Sequence, residues 1–178
     1  MRLPFAACLA ALPLVACSST PPPHWAEGGA RLDVGPAEWR TGDDAVIEIL
    51  PDGKVTVGGA HIFTIDAAGR IYDSENEAVG IVLPDGNIVG PNDTHLGRVG
   101  VSNASPPGGG TAWLSVMPDG HVTHYDPDGE RSFDGAWQGC SGPRLRTCTL
   151  VSHLYTLERV SRASSPGMFI GVGVGVGI

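Results

Sequence analysis

From about residue 45, apolar and polar positions change over in short runs: Ala45–Leu50, Val55–Val57, His61–Ile65, Arg70–Tyr72, Val79–Leu83, Asn87–Val89, Leu96–Val101, Ala112–Met117, His121–Tyr125 and Glu130–Phe133. These runs are rich in Val and Ile, and Gly, Asp or Pro breaks them roughly every 8–10 residues, which predicts short β-strands between tight turns. The turns repeat. Leu50-Pro51-Asp52-Gly53 returns as Leu83-Pro84-Asp85-Gly86 and as Met117-Pro118-Asp119-Gly120, at steps of 33 and 34 residues. Proline pre-sets the second turn position and Asp suits the third. Gly53, Gly86 and Gly120 take the left-handed conformation that ends such a turn with a bulge. Weaker turns fall midway, at Asp66-Ala67-Ala68-Gly69 and Ser102-Asn103. No helical pattern separates the strands, so parallel crossovers are not expected. The reading is mainly β: an antiparallel meander of about eight to ten short strands, stacked as repeated hairpins. An open sheet, a propeller-like array and a closed barrel all fit this pattern.

The pattern changes at residues 147–160. Leu150, Leu154 and Leu157 follow helical spacing with Val151 alongside, predicting one short amphipathic helix, with a strand as the alternative. The chain then ends in alternating Gly and Val, with Ile170, Val172, Val174, Val176 and Ile178 on one face of a would-be terminal strand. One such strand cannot cross a bilayer alone, because its backbone groups would be unpaired in lipid.

At the other end, Arg2 precedes an apolar run, Leu3 to Val15, followed by Ala16 and Cys17. That is the layout of a secretory signal, too short to span a bilayer. Leu14-Val15-Ala16-Cys17 resembles the lipobox of bacterial lipoproteins. The resemblance covers about the first 20 residues. It implies removal of residues 1–16 and lipid attachment at Cys17, and the several acyl chains carried there make a durable anchor. Ser18 in place of Asp implies the outer membrane by that family's sorting pattern. Residues 17–44, with Pro21-Pro22-Pro23 and Gly28-Gly29, read as the lipidated terminus and a flexible spacer interrupted by Trp25 and Trp39. The expected organisation is therefore a signal peptide (1–16), lipidated spacer (17–44), β-repeat domain (45–160) and Gly/Val segment (161–178).

With 26 Gly and 15 Pro, long helices are disfavoured, while a 42% hydrophobic share still supports a core. The net charge of -8 gives no electrostatic reason to bind nucleic acid or an anionic lipid surface. In an exported chain, Cys8 leaves with the signal and Cys17 takes lipid, so Cys140 and Cys148 remain as an even pair. An oxidising compartment predicts a disulfide between them, and their spacing does not suit a metal site.

Candidate chemistry is sparse. The densest polar cluster holds His121, His124, Asp126 and Asp128, with Tyr125 and Glu130. Imidazole and carboxylate suit zinc, and clustered carboxylates suit calcium. However, His121 and His124 face opposite ways on a strand, and the Asp spacing departs from a calcium loop. Asp93, His95 and Ser102 can be named as a hydrolase triad, but no nucleophile-elbow motif supports them. Gly108-Gly109-Gly110 reads as a loop. Trp113, Trp137, Phe63 and Tyr125 form either an aromatic binding patch or core, with core the simpler reading. No cofactor is expected. The leading expectation is a non-enzymatic, lipid-anchored envelope protein whose β module binds a protein, a glycan or its own copies. The alternatives are a metal-binding protein or hydrolase using the 121–130 hairpin with His61 or His95, and a structural lipoprotein self-associating through its tail.

Overall fold

The structure, a computed structural model, describes residues 20–164, with side chains as far as Arg159. Cys17, the signal segment and residues 165–178 lie outside the described residues.

Twelve antiparallel strands form one closed barrel in which each strand pairs with its neighbours in sequence. They are β1 (Ala37–Arg40), β2 (Val46–Ile49), β3 (Lys54–Val57), β4 (Ala60–Ile65), β5 (Arg70–Asp73), β6 (Ala78–Val82), β7 (Asn87–Val89), β8 (His95–Val99), β9 (Asn103–Ser105), β10 (Leu114–Val116), β11 (His121–Tyr125) and β12 (Arg131–Gln138). Trp39 opposite Trp137 closes the ring between β1 and β12. The mainly β antiparallel meander is thus present, with two strands more than the upper expectation. One extra strand, β9, occupies the Ser102-Asn103 turn region. The other, β1, lies within the 17–44 segment expected as spacer, so the barrel begins at Ala37.

The Pro-Asp-Gly turns work as their chemistry dictates. In the first, Gly53 N–H donates to Leu50 O and Leu50 N–H donates to Lys54 O. Gly53 sits at φ 85°, which is a type I turn closed by a glycine bulge. The same bonds recur at residues 83–87 and 117–121. In each, the Asp carboxylate accepts the N–H two residues on: Asp52 from Lys54, Asp85 from Asn87, Asp119 from His121. A second version places Asp first, where Asp66, Asp73 and Asp126 each accept two backbone N–H groups of their own turn. The glycines are also where the next strand comes closest. Val99 N–H donates to Gly86 O and Trp137 N–H to Gly120 O. A Cβ on Gly86 would stand 2.5 Å from Val99 O.

One helix, α1 (Leu145–Ser164), follows the barrel, where the helical reading of residues 147–160 placed it. It is not an amphipathic surface helix, however. Thr147 through His153 are all buried, nearly two full turns, so neighbours surround it on every side. At its start, Thr147 Oγ1–H donates to Asp33 O and Thr149 Oγ1–H to Leu145 O, with Val101 O also 3.0 Å from the Thr149 hydroxyl. Val101 lies at the barrel end that carries the Pro-Asp-Gly turns. Further along, His153 reaches Leu96 O in β8, and Arg159 pairs with Asp43 in the β1–β2 turn at the opposite end. A helix enclosed on all sides over Thr147–His153, with contacts at both rims, runs through the barrel. Gly97 admits it: a Cβ there would stand 2.6 Å from the His153 ring. On the β1–β12 wall, the neighbours Trp39 and Trp137 stack with centroids 5.6 Å apart, and Tyr155 of α1 meets Trp39 edge-on.

A strap covers the Pro-Asp-Gly end. Ala30 N–H donates to Val82 O and Leu32 N–H to Ala67 O, with both side chains buried. Trp25 packs edge-on against Tyr72, and its carbonyl accepts from Arg70 Nε. The Cys140–Cys148 disulfide ties the end of β12 to the first turns of α1.

Candidate functional site

The lumen holds polar side chains that bond the helix to the barrel wall. Trp113 Nε1–H donates to His153 Nδ1 at 3.0 Å, which leaves Nε2–H to donate to Leu96 O at 2.8 Å. Indole nitrogen donates only, so this geometry sets the tautomer and keeps the ring neutral. Burial pushes the His153 pKa down to about 4, with a smaller contribution from His95 and partial opposition from the Leu96 carbonyl. Trp137 Nε1–H donates to Ser152 Oγ at 2.9 Å. These groups register the helix against the wall.

The candidate chemical residues do not converge. His121 stands outside, 2.8 Å from Asp119, whose carboxyl this imidazole holds below the usual range. His124 turns inward and lies 3.0 Å from Asp134 Oδ2, an ion-pair contact rather than a well-aligned hydrogen bond. That contact is the largest cause lowering the Asp134 pKa, and Gly42 N–H adds to it. Asp126 is spent on its turn, and Asp128 is exposed. His61 bonds Thr64 on β4, and His95 opens β8, so neither joins the 121–130 hairpin. Asp93 and His95 sit at one end of β8 and Ser102 beyond the other, so the paper triad is split by a strand length. Among the described residues, no group of three or more His, Cys, Asp or Glu is placed to hold a metal ion. Of the four aromatics, Trp137 is core, and Trp113 and Phe63 pack against it.

The fourth aromatic, Tyr125, belongs to a different place, the outer wall of β9–β12. The register sets Asn103 beside Ser115, Ser115 beside Thr123, and Thr123 beside Phe133 across four strands. Ser115 Oγ and the Tyr125 hydroxyl lie 3.0 Å apart. Ser102, Asn103, Thr111, Ala112, Ser115 and Tyr125 line a shallow groove there. Phe133 is 63% exposed and meets the His121 ring edge-on at 5.3 Å. Val101 and Met117, at the near ends of β9 and β10, are 62% and 48% exposed. These three are the exposed large hydrophobic side chains among the described residues: Phe133 lies on β12, Met117 at the end of β10, and Val101 in the β8–β9 turn. Alternation flags Phe133 only as an outward position. Its exposure depends on the β11–β12 register, which no local pattern states.

The barrel itself does not suit lipid. Its longest strand has 8 residues, short of the nine or more that a bilayer-crossing strand needs, and Glu38, Arg40, Glu48, Lys54 and Arg98 project from the outer face. The chain matches no protein-family model, no curated protein and no solved structure.

Proposed function

We propose that this chain is a lipid-anchored outer-membrane protein of the cell envelope. Its plugged barrel serves as a rigid carrier for a binding surface on the outer wall of β9–β12, facing an envelope protein or glycan. The observation that carries the binding role is the exposed Phe133 against the His121 ring, with Met117 beside His121 at the edge of the same wall, while α1 fills the interior. Clustered apolar exposure on a soluble face marks an interaction site more often than scattered single residues do. The anchor rests on the lipobox ending at Cys17. Residues 18–24 then separate the lipid from Trp25, a span of at most about 25 Å, so the strap end sits beside the membrane and the β9–β12 wall stands upright on its flank.

Two measurements test this. A clickable palmitate analogue supplied to expressing cells labels the wild type, and Cys17→Ser abolishes both label and membrane retention. A photoreactive benzophenone residue at position 133 yields a discrete adduct in intact envelopes, while the same probe at position 77, in the β5–β6 turn, does not. Equal adducts at both positions, or none at 133, overturn the binding role, and an unlabelled wild type overturns the anchor.

A further inference from the structure

Resting on that reading, we infer that the β9–β12 wall takes a basic polypeptide segment whose apolar centre is flanked by Lys or Arg about 20 Å apart. The apolar centre is met by Phe133, the His121 ring and Met117. Carboxylates stand at both ends of the same wall. Asp119 lies in the turn before β11, and Asp128 and Glu130 lie in the turn after it, all three exposed. Five residues of β11 and the adjoining turns separate the two ends, a distance of about 20 Å at strand rise. Asp128 and Glu130 enter no ion pair among the described residues. Two cations lie nearby: Arg131 has its guanidinium over the Tyr125 ring at 5.9 Å, and Arg40, which pairs with Glu38, stands across Ala136 in the row of His121. The β10–β12 part of the wall therefore carries an apolar cluster next to Asp119, with Asp128 and Glu130 at its other end.

Its topology narrows the mode of contact. Each of β9 to β12 is paired on both sides, so no free edge exists for an added strand, and recognition runs through side chains. The overall charge of -8 steers basic partners inward and repels anionic polymers and lipid headgroups. A neutral glycan would use the Ser, Asn and Tyr groove but would gain nothing from the two acidic ends.

The test uses the full chain without its signal and three probes. These are a twelve-residue peptide with a Leu-Trp-Leu centre between Lys pairs, its Glu-for-Lys counterpart, and a neutral chitooligosaccharide. Calorimetry in about 50 mM salt is expected to show binding of the Lys peptide only. The pair Asp128→Asn and Glu130→Gln should weaken it about fivefold or more, and Phe133→Ser about tenfold or more. The pair Glu75→Gln and Glu77→Gln, which removes equal charge from another wall, should change it less than about twofold. Equal weakening by that control pair means non-specific attraction and overturns the inference. Phe133-dependent binding of the oligosaccharide alone also overturns it, yet leaves the binding role intact. No probe bound and no adduct at 133 removes both.

Discussion

Acidification should loosen the barrel from the inside, through a single imidazole. His153 is fully buried, and both ring nitrogens are committed in the neutral form. Protonating Nδ1 would set a second N–H against the Trp113 indole N–H and place a charge in an apolar lumen. Its folded pKa is about 4, against 6.5 for the free side chain. Because the folded value is the lower one, the unfolded chain binds the extra proton between those limits. The stabilisation is therefore complete above pH 6.5 and is lost as pH falls towards 4. At 1.36 kcal/mol per unit, the loss is about 2 kcal/mol by pH 5 and about 3 kcal/mol by pH 4. Urea unfolding followed by tryptophan fluorescence, at steps from pH 7.5 to 4, measures it. His153→Gln keeps one donor for Leu96 and one acceptor for Trp113 but cannot titrate. It should be less stable than wild type at pH 7.5 and should lose markedly less on acidification. Parallel pH profiles for the two proteins would refute the reasoning.

Three further outcomes follow from the same geometry. Gly120→Ala combines φ 91° with a Cβ driven onto the Trp137 carbonyl, and should cost about 3 kcal/mol. Gly108→Ala, at φ 70° in open space, should cost only about 1 kcal/mol; urea midpoints of the two variants give the comparison. Cys148→Ser opens the Cys140–Cys148 loop and should cost about 2.5 kcal/mol on the chain-entropy argument, read as a lower thermal midpoint under oxidising conditions that dithiothreitol no longer changes. Gly97→Ala meets the His153 ring and the Ser105 carbonyl, each 2.6 Å from the added Cβ, and should shift the tryptophan emission of the folded protein as α1 is displaced; an unchanged spectrum and midpoint would place the helix elsewhere.

The turns were legible because their chemistry is local: Pro, Asp and Gly at set offsets determine backbone angles without help from distant residues. Most strands followed, since they lie between such turns. Two were missed for reasons that are physical. Ala37-Glu-Trp-Arg40 has no β-branched residue and acquires one of its two partners nearly a hundred residues later, at Trp137. Asn103-Ala-Ser105 is too short and polar to stand out. Closure rests on that same distant pairing, so turn signals alone could not choose a barrel over an open sheet. The helix was visible in Leu150, Leu154 and Leu157, but its surroundings were not. Thr147, Thr149, Ser152 and His153 are polar, and only their long-range bonds show them to be interior. The acidic 121–130 cluster was legible only as a hairpin turn. Its most committed carboxylate, Asp126, serves its own turn, whereas the outward row ending at Phe133 is set by pairing across four strands.

The central claim is that α1 threads the barrel and leaves the outer wall as the working surface. Native-state hydrogen exchange at the amides of residues 149–153 tests it most directly. These amides should be as protected as those of Ile47, Val99 and Val116 in the barrel wall, and should exchange only on global unfolding. Exchange orders of magnitude faster than the wall, as for a helix lying on the surface, would contradict it.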